Sequence, residues 1–409
     1  MKRIAVIGLG KLGISMAAVY ASKGFEVLGI DISKEAVQAA NTGVLLTPEP
    51  RVPELLNANK SRLKFSTLFD DIENTEMSFI IVPTPTKKGE RGFANDYVVA
   101  AIRAMGPALK RRKDYHVVVI TSTVMPNAMN NVIRSALEVA TGKKVGRDIG
   151  LCYNPEFVAL GTVVKDMLHA DIQLIGESDK RAGKALTGFH RSILPDVPIH
   201  RMTFKEAELT KLLLNVALSS RITYANLVGR IADSLGCDAH KILDAITDDI
   251  RIGKRYMRPG SPVEGPCLVR DVKALTEVLD ICKIPSDLPQ AMTNENAYLI
   301  RHVRNLLLAE GPCRVAILGW SYKPGTPLTD ESAAFPIAEM LLNAGCNVNG
   351  YDPEAPIKTE GVDVYDNAID CIKFADKIYV HTPWPEFAKI PKEKLRGKII
   401  VDYWACLQK

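Results

Sequence analysis

The sequence predicts an α/β protein: two doubly wound parallel-sheet domains joined by a central helical region. Three observations carry that expectation. Up to about residue 200, short apolar runs alternate with longer amphipathic stretches. From Thr203 to about Leu307 strand signals largely vanish and long helical patterns dominate. Strand signals then resume at Arg314, so a second α/β region follows. The expected domains are residues 1–202, 203–307 and 308–409, and 409 residues with 47% hydrophobic content supply ordinary cores for two to three domains.

In order, the expected strands of the first domain are Ile4 to Ile7, Glu26 to Ile30, Met77 to Val82, Val117 to Thr121 and Ile172 to Ile175. Each is a short apolar run of the kind a sheet buried on both faces requires. The stretch Glu206 to Leu235 carries the helical period of the central region. The last domain is expected to hold strands at Arg314 to Leu318, Asn347 to Tyr351, Lys377 to His381 and Lys398 to Val401, with a helix beginning near Asp330.

Composition narrows the function classes. A net charge of +5 is modest for this length, and Lys and Arg are scattered without interleaved aromatics, so no nucleic-acid partner is expected, whereas small anionic ligands are compatible. The group Lys110 to Lys113 reads as a solvated turn. Eight cysteines without a CxxC pair argue against zinc and against a dense disulfide framework, which makes a reducing, cytoplasmic setting the expectation. The histidines lack metal-ligand spacing. The run Ile4 to Leu9 is interrupted by Gly8, as a buried strand would be, and no apolar run reaches membrane-span length, so no membrane partner is expected.

The first chemical motif is Gly8-Leu9-Gly10-Lys11-Leu12-Gly13, between a strand and an apolar helix, with Asp31 ending the second strand. Glycines allow the tight turn and close backbone approach, the helix start attracts pyrophosphate, and the acid suits ribose hydroxyls. This is a Rossmann-type dinucleotide signature. Asp31 favours NAD over NADP, because a carboxylate repels the extra phosphate. A second turn, Leu318 to Pro324, follows a strand of the last domain and lacks the glycine triad; Lys323 there reads either as a phosphate-binding cation or as a solvated loop lysine.

Cys267 lies in Gly265-Pro266-Cys267-Leu268-Val269-Arg270-Asp271, between the two sheet patterns. Taken alone it reads as a small buried apolar side chain. Beside a dinucleotide site it also offers a thiolate that can capture an aldehyde, so that a second hydride leaves and a thioester is hydrolysed to an acid.

The ordered set of motifs is more specific than any member. After the glycine turn come Asn41-Thr42-Gly43 with Glu49-Pro50, Thr84-Pro85-Thr86, Ser122-Thr123-Val124 and Asn154-Pro155-Glu156-Phe157. Then follow Glu208-Leu209-Thr210-Lys211 with Asn215, Arg251-Ile252-Gly253, the Cys267 loop, Lys323-Pro324 with Thr326, Tyr351-Asp352-Pro353 and Trp384-Pro385-Glu386-Phe387. In this set the chain resembles the UDP-glucose and GDP-mannose dehydrogenase family, NAD-dependent four-electron oxidases that turn a nucleotide-sugar 6-hydroxymethyl into a carboxylate.

The resemblance implies roles. Gly8, Gly10, Leu12, Gly13, Asp31, Thr84, Pro85 and Thr123 would bind NAD. Cys267 would hold the aldehyde-level intermediate and the thioester. Lys211 and Asn215, four apart on one helix face, would serve the developing alkoxide and oxyanion. Asp271 would work with Lys211 and a water in the first proton removal, Glu156 would activate water for hydrolysis, and Thr123 would hold a water nearby. Glu156, Phe157, Lys211, Asn215, Gly265 and Lys323 would contact the nucleotide sugar, and Arg251 would reach that of a neighbouring subunit in a homodimer built on the central helices. UDP-glucose is the modal substrate, with UDP-N-acetylhexosamines and GDP-mannose as the nearest competitors, and a non-catalytic nucleotide-sugar-binding relative is the reading of another class.

Departures from the pattern stand out as well. The family loop usually reads Gly-Phe-Gly-Gly-Ser-Cys, whereas this chain has Pro262-Val263-Glu264-Gly265-Pro266-Cys267, so Glu264 and Pro266 are expected to reshape the sugar pocket. A second active-site carboxylate is replaced at Leu160, and Asp330 and Trp404 stand where the family carries arginine.

Overall fold

The computed structural model describes residues 2–45, 49–87, 89 and 91–407. The chain divides into two compact units, Met1–Leu212 and Leu213–Lys409. The first carries strands β1 (Arg3–Ile7), β2 (Glu26–Ile30), β3 (Leu63–Ser66), β4 (Met77–Ile80), β5 (Val117–Ile120), β6 (Gly150–Tyr153), β7 (Gln173–Glu177) and β8 (Ile199–Met202). They form one sheet in the order β3-β2-β1-β4-β5-β6-β7-β8.

Why β1 sits inside the sheet is visible in its side chains. Ile4 and Val6 enter the core on one face of the sheet and Ala5 and Ile7 the core on the other, the period of two that an extended chain imposes. A strand covered on both faces has no polar side, which is why the run is continuously apolar. The sheet is parallel except that β7 pairs antiparallel with β6, Cys152 standing opposite Glu177; β8 then pairs parallel with β7. The parallel expectation therefore holds for six strands in series, and the last two run against them.

The second unit carries β9 (Arg314–Leu318), β10 (Asn347–Tyr351), β11 (Val362–Val364), β12 (Lys377–Val380) and β13 (Ile399–Val401), all parallel, in the order β11-β10-β9-β12-β13. The alternation of β1 recurs in β9: Val315 and Ile317 face one core, Ala316 and Leu318 the other. In each sheet the strand order reverses beside the first strand, the place where doubly wound folds open a crevice for ligands.

Between the sheets the chain is helical, as expected: Phe204–Leu235, Ala239–Asp248, Leu268–Cys282 and Asp287–Leu308. The longest starts with a capping box. Thr203 N–H and Oγ both donate to Glu206 (2.8 and 2.7 Å), while Glu206 N–H donates back to Thr203 Oγ at 3.4 Å. The helix expected near Asp330 starts later, as Ala334–Asn343, because Glu331 takes a left-handed backbone (φ 56°) inside a turn closed by Ser332 N–H on Thr329 O.

Candidate active site

The dinucleotide turn is built by close approach. Gly8 has φ 99° and donates to Ile30 O at 2.8 Å, and a Cβ on it would lie 2.3 Å from Ile81 O. A Cβ on Gly13 would lie 1.8 Å from Gly8 O, so the helix packs on the turn only without a side chain there. Gly10 caps the helix Lys11–Ser22 with open space where its Cβ would be and with no side chain capping the first N–H groups. Those donors and the positive helix end fit a pyrophosphate. Asp31 Oδ2 accepts Leu9 N–H at 2.6 Å and Oδ1 accepts Ser33 N–H at 2.9 Å, which leaves about half of a carboxylate's four or so acceptor positions for ribose hydroxyls. These residues fit NAD. Leu12, half-buried, packs its side chain against the core. Thr84 is buried and Pro85 exposed on the loop after β4, and Thr123 is half-buried on the loop after β5. Ser122 ties those two loops together, accepting Val82 N–H and donating to Val82 O.

The second unit repeats this turn with a different outcome. Gly319 (φ 85°) donates to Tyr351 O at 2.8 Å, and Trp320 N–H donates to Asp352 Oδ2 at 2.6 Å, matching the bonds of Gly8 and Leu9. Asp352, however, also accepts from Ser321 N–H and Oγ, Trp384 Nε1, Glu354 N–H and Ala355 N–H. Its acceptor positions are therefore filled by protein. The sequence signal for this was the Tyr351-Asp352-Pro353 motif, to which no role was attached. Lys323 lies on the same turn, half-buried, 5.9 Å from the Tyr322 ring.

The long helix holds one loop after another. Glu208, fully buried, accepts Asn127 and Met129 N–H groups at 2.8 Å each, which anchors the loop that follows Thr123; burial pushes its carboxyl up to about 7. One turn on, Lys211 donates from Nζ to Glu156 O at 2.8 Å and lies 4.6 Å from the Phe157 ring. Burial pushes the Glu156 carboxyl up to about 7, with the Lys211 charge opposing. The structure thus brings Glu156, Phe157 and Lys211 together within the first unit. Leu160 packs on the core, and Glu49 supplies a carboxylate to that segment, accepting Gly161 and Val163 N–H groups at 2.8 and 2.9 Å. Glu49 was visible as a motif residue without an assigned role.

Another turn along the helix, in the second unit, Asn215 Nδ2 donates to Asp271 Oδ2 at 2.6 Å. The Asp271 side chain is 0% exposed, with Arg270 Nε 3.4 Å from its other oxygen. Lys211 and Asn215 lie one turn apart on this helix, Lys211 bonded to Glu156 O and Asn215 to Asp271.

Cys267 is the N-cap of helix Leu268–Cys282, and its carbonyl accepts Asp271 N–H at 2.9 Å, which places thiol and carboxylate on successive turns. Cys267 is exposed, not the buried small residue that its type alone predicts. The loop before it is fastened throughout. Asn226 holds Gly260 and Ser261 through their main chain, Asn296 holds Val263 by both N–H and C=O, and Gly265 (φ 83°) donates to Asp330 O at 3.0 Å. A Cβ on Gly265 would meet the Tyr322 ring at 2.7 Å. Glu264, expected in the sugar pocket, instead turns its carboxylate into the C-terminal α/β layer, where Ala333 N–H donates to it. Trp404 packs over Gly260 and donates from Nε1 to His381 O. Arg251 is exposed and forks onto Asp249 of its own loop. Among the described residues, no helix is long and apolar enough to cross a membrane, and no group of three or more His, Cys, Asp or Glu could hold a metal ion.

Comparison with known proteins agrees with the resemblance read from the motifs. The NAD-binding-domain model of the UDP-glucose/GDP-mannose dehydrogenase family matches residues 2–194, its central-domain model 205–298 and its UDP-binding-domain model 316–409. The chain is 32% identical to the GDP-mannose 6-dehydrogenase of Azotobacter vinelandii, over 98% of this chain and 96% of that one. It is also 32% identical to a UDP-glucose 6-dehydrogenase of Haloferax volcanii, with the same coverage. The solved structure of a UDP-glucose dehydrogenase from Pyrobaculum islandicum superposes with a TM-score of 0.90 at 29% identity, over 98% of this chain and 94% of that one. The three model matches run in order along nearly the whole chain, and it belongs to the UDP-glucose/GDP-mannose dehydrogenase family, as an NAD-dependent nucleotide-sugar dehydrogenase.

Proposed function

We propose that the protein oxidises the C6 hydroxymethyl of UDP-glucose to the carboxylate in two successive steps, through a thioester on Cys267. The observation that carries this reading is an exposed thiol at a helix start, one turn from a buried carboxylate held by an amide. NAD, when bound, supplies the hydride acceptor, once per oxidation.

In the first step Asp271, with Lys211 and a water, takes the hydroxyl proton as hydride leaves C6. Asn215 spends one amide hydrogen on Asp271, and its second is available to the substrate oxygen as negative charge grows there. The Cys267 sulfur then adds to the aldehyde carbon as its proton passes to the carbonyl oxygen, and loss of that hydroxyl proton to water together with a second hydride from the thiohemiacetal carbon leaves a thioester. Glu156 takes a proton from water, which attacks the thioester carbonyl; the C–S bond breaks, and carboxylate and thiol are released. Thr123 holds that water. The C-terminal UDP-domain match supports the choice of nucleotide. GDP-mannose is the second reading, because the relative named for it is as similar as the one named for UDP-glucose.

The test is the NADH count per sugar across UDP- and GDP-sugars. Two per UDP-glucose is expected; one, with aldehyde released, refutes the thioester.

Hydrolysis should carry its own pH signature. Because the Glu156 carboxyl is raised to about 7 from an ordinary 4.5, its base form grows as pH rises through neutrality. Single-turnover hydrolysis should fall about tenfold per unit below that value and level off above it. Glu156→Gln should flatten this profile and let the Cys267 thioester accumulate as a mass adduct; a parent profile flat from pH 5 to 8 would remove Glu156 from the step.

The assembly we infer is a homodimer through the central helices, with Arg251 serving the partner's nucleotide. Leu213, Tyr224, Ile231 and Leu235 are 46, 46, 48 and 71% exposed and recur at helical spacing, an apolar stripe that a second copy would cover. A single-chain mass of 44.9 kDa in solution would overturn this.

A further inference from the structure

Glu264 lies three residues before Cys267, where the family loop carries glycine. Its side chain is 3% exposed and that of His381 is 0% exposed, with Glu264 Oε2 3.2 Å from His381 Nε2. Glu264 Oε1 accepts Ala333 N–H at 2.8 Å, at the start of helix Ala334–Asn343, whereas Oε2 has no hydrogen bond of ordinary geometry. The imidazole is held on its other sides: Tyr379 Oη is 3.1 Å from Nδ1 and Ser332 Oγ 3.1 Å from Nε2. Burial and the Glu264 charge raise the Tyr379 hydroxyl well above its ordinary value, so a neutral phenol faces Nδ1. Ser261 Oγ donates to His381 O at 2.6 Å. The thiol loop thus meets His381 twice: Ser261 Oγ hydrogen-bonds its main-chain carbonyl, and Glu264 Oε2 lies against its ring at 3.2 Å.

A buried carboxylate and imidazole with an oxygen left poorly satisfied is an expensive way to join two layers; an apolar pair of similar volume would serve stability as well. What the pair adds is direction. Asp330 and Ser332, bonded to this loop and to His381, lie in the segment 323–332 that follows the Gly319 turn, and Ala333, bonded to Glu264, comes directly after it. We infer that Glu264 and His381 are positioning residues for the thiol chemistry, fixing Cys267 relative to the Lys323–Ser332 turn. The identity of that turn as the nucleotide side rests on the proposed function; the positioning of the thiol does not.

The test is a double-mutant cycle of Glu264→Gln, His381→Gln and both together, two near-isosteric changes whose amides can bond each other. Two quantities are read: kcat with UDP-glucose and NAD, and the rate at which iodoacetamide alkylates Cys267, with exposed Cys237 and Cys282 as internal standards. Each single variant should lower kcat by about ten- to a hundredfold, the scale of a small misplacement of a reacting group, with KM for NAD unchanged. Each should also shift Cys267 alkylation at least about fivefold and leave the two standards unmoved. The double variant should be no worse than the poorer single, since the pair acts as a unit. Alkylation within twofold of the parent in both singles, or single effects that multiply in the double, would overturn the inference. A parent that turns over no sugar while the alkylation pattern holds would instead count against the substrate reading alone.

Discussion

Cys267→Ser should lower sustained NADH formation by at least ~10^3-fold while leaving the fold intact, because the first oxidation needs no thiol and the second needs a nucleophile that serine cannot match. Exposure of Cys267 at a helix start means that the substitution removes few packing contacts, so the melting temperature should stay within about 2 °C. Rapid mixing should show a first hydride transfer at a rate near that of the parent, followed by a stall with one NADH per sugar and no thioester mass. If the variant instead delivers two NADH per sugar at the parental rate, Cys267 carries no covalent step, and direct hydration of the aldehyde becomes the route to acid.

Asp271→Asn should strike earlier, lowering the rate of the first hydride transfer by roughly 10^2- to 10^4-fold, the usual contribution of a positioned base. The change conserves shape, but a buried amide cannot replace the carboxylate between Asn215 Nδ2 and Arg270. One donor would then face another, so stability should also fall, by about 1–3 kcal/mol. NAD affinity should not follow, since the Gly8 turn and Asp31 make none of these contacts. Pre-steady-state absorbance at 340 nm separates the cases: a first-hydride rate within threefold of the parent removes Asp271 from proton transfer. Asn215→Ala should give a milder loss, because the carboxylate survives without its amide.

The sequence revealed the parts whose physics is local. Ile4 to Ile7 is apolar at every position because both faces of β1 are covered, and the turn from Gly8 to Gly13 contains glycine where a Cβ would strike main chain. Strands β3, β6, β8 and β11 escaped notice: β3, β8 and β11 are sheet edges with half-exposed residues and a polar alternation that also fits a loop, whereas β6, buried in mid-sheet, is only four residues long and opens on a glycine. The reversal at β7 leaves no mark either, since strand direction is set by the connection and not by residue type. At the site, the family resemblance and not residue type alone pointed to Cys267, Lys211, Asn215 and Asp271, while Glu264, expected toward the sugar, turns to the other side of its loop. Its partner His381 is over a hundred residues distant, and nothing near Glu264 in sequence announces it.

The twin turns at Gly8 and Gly319 raise a sorting problem that their carboxylates solve. Two copies of one turn geometry in a single chain would ordinarily compete for the same cofactor. Asp31 keeps acceptor positions open, whereas Asp352 has all of its positions taken up by main chain, Ser321 and Trp384. The second half is therefore barred from imitating the first without any change of fold. Address is written in hydrogen-bond saturation: one carboxylate keeps acceptors for a ribose, and its twin has none to offer.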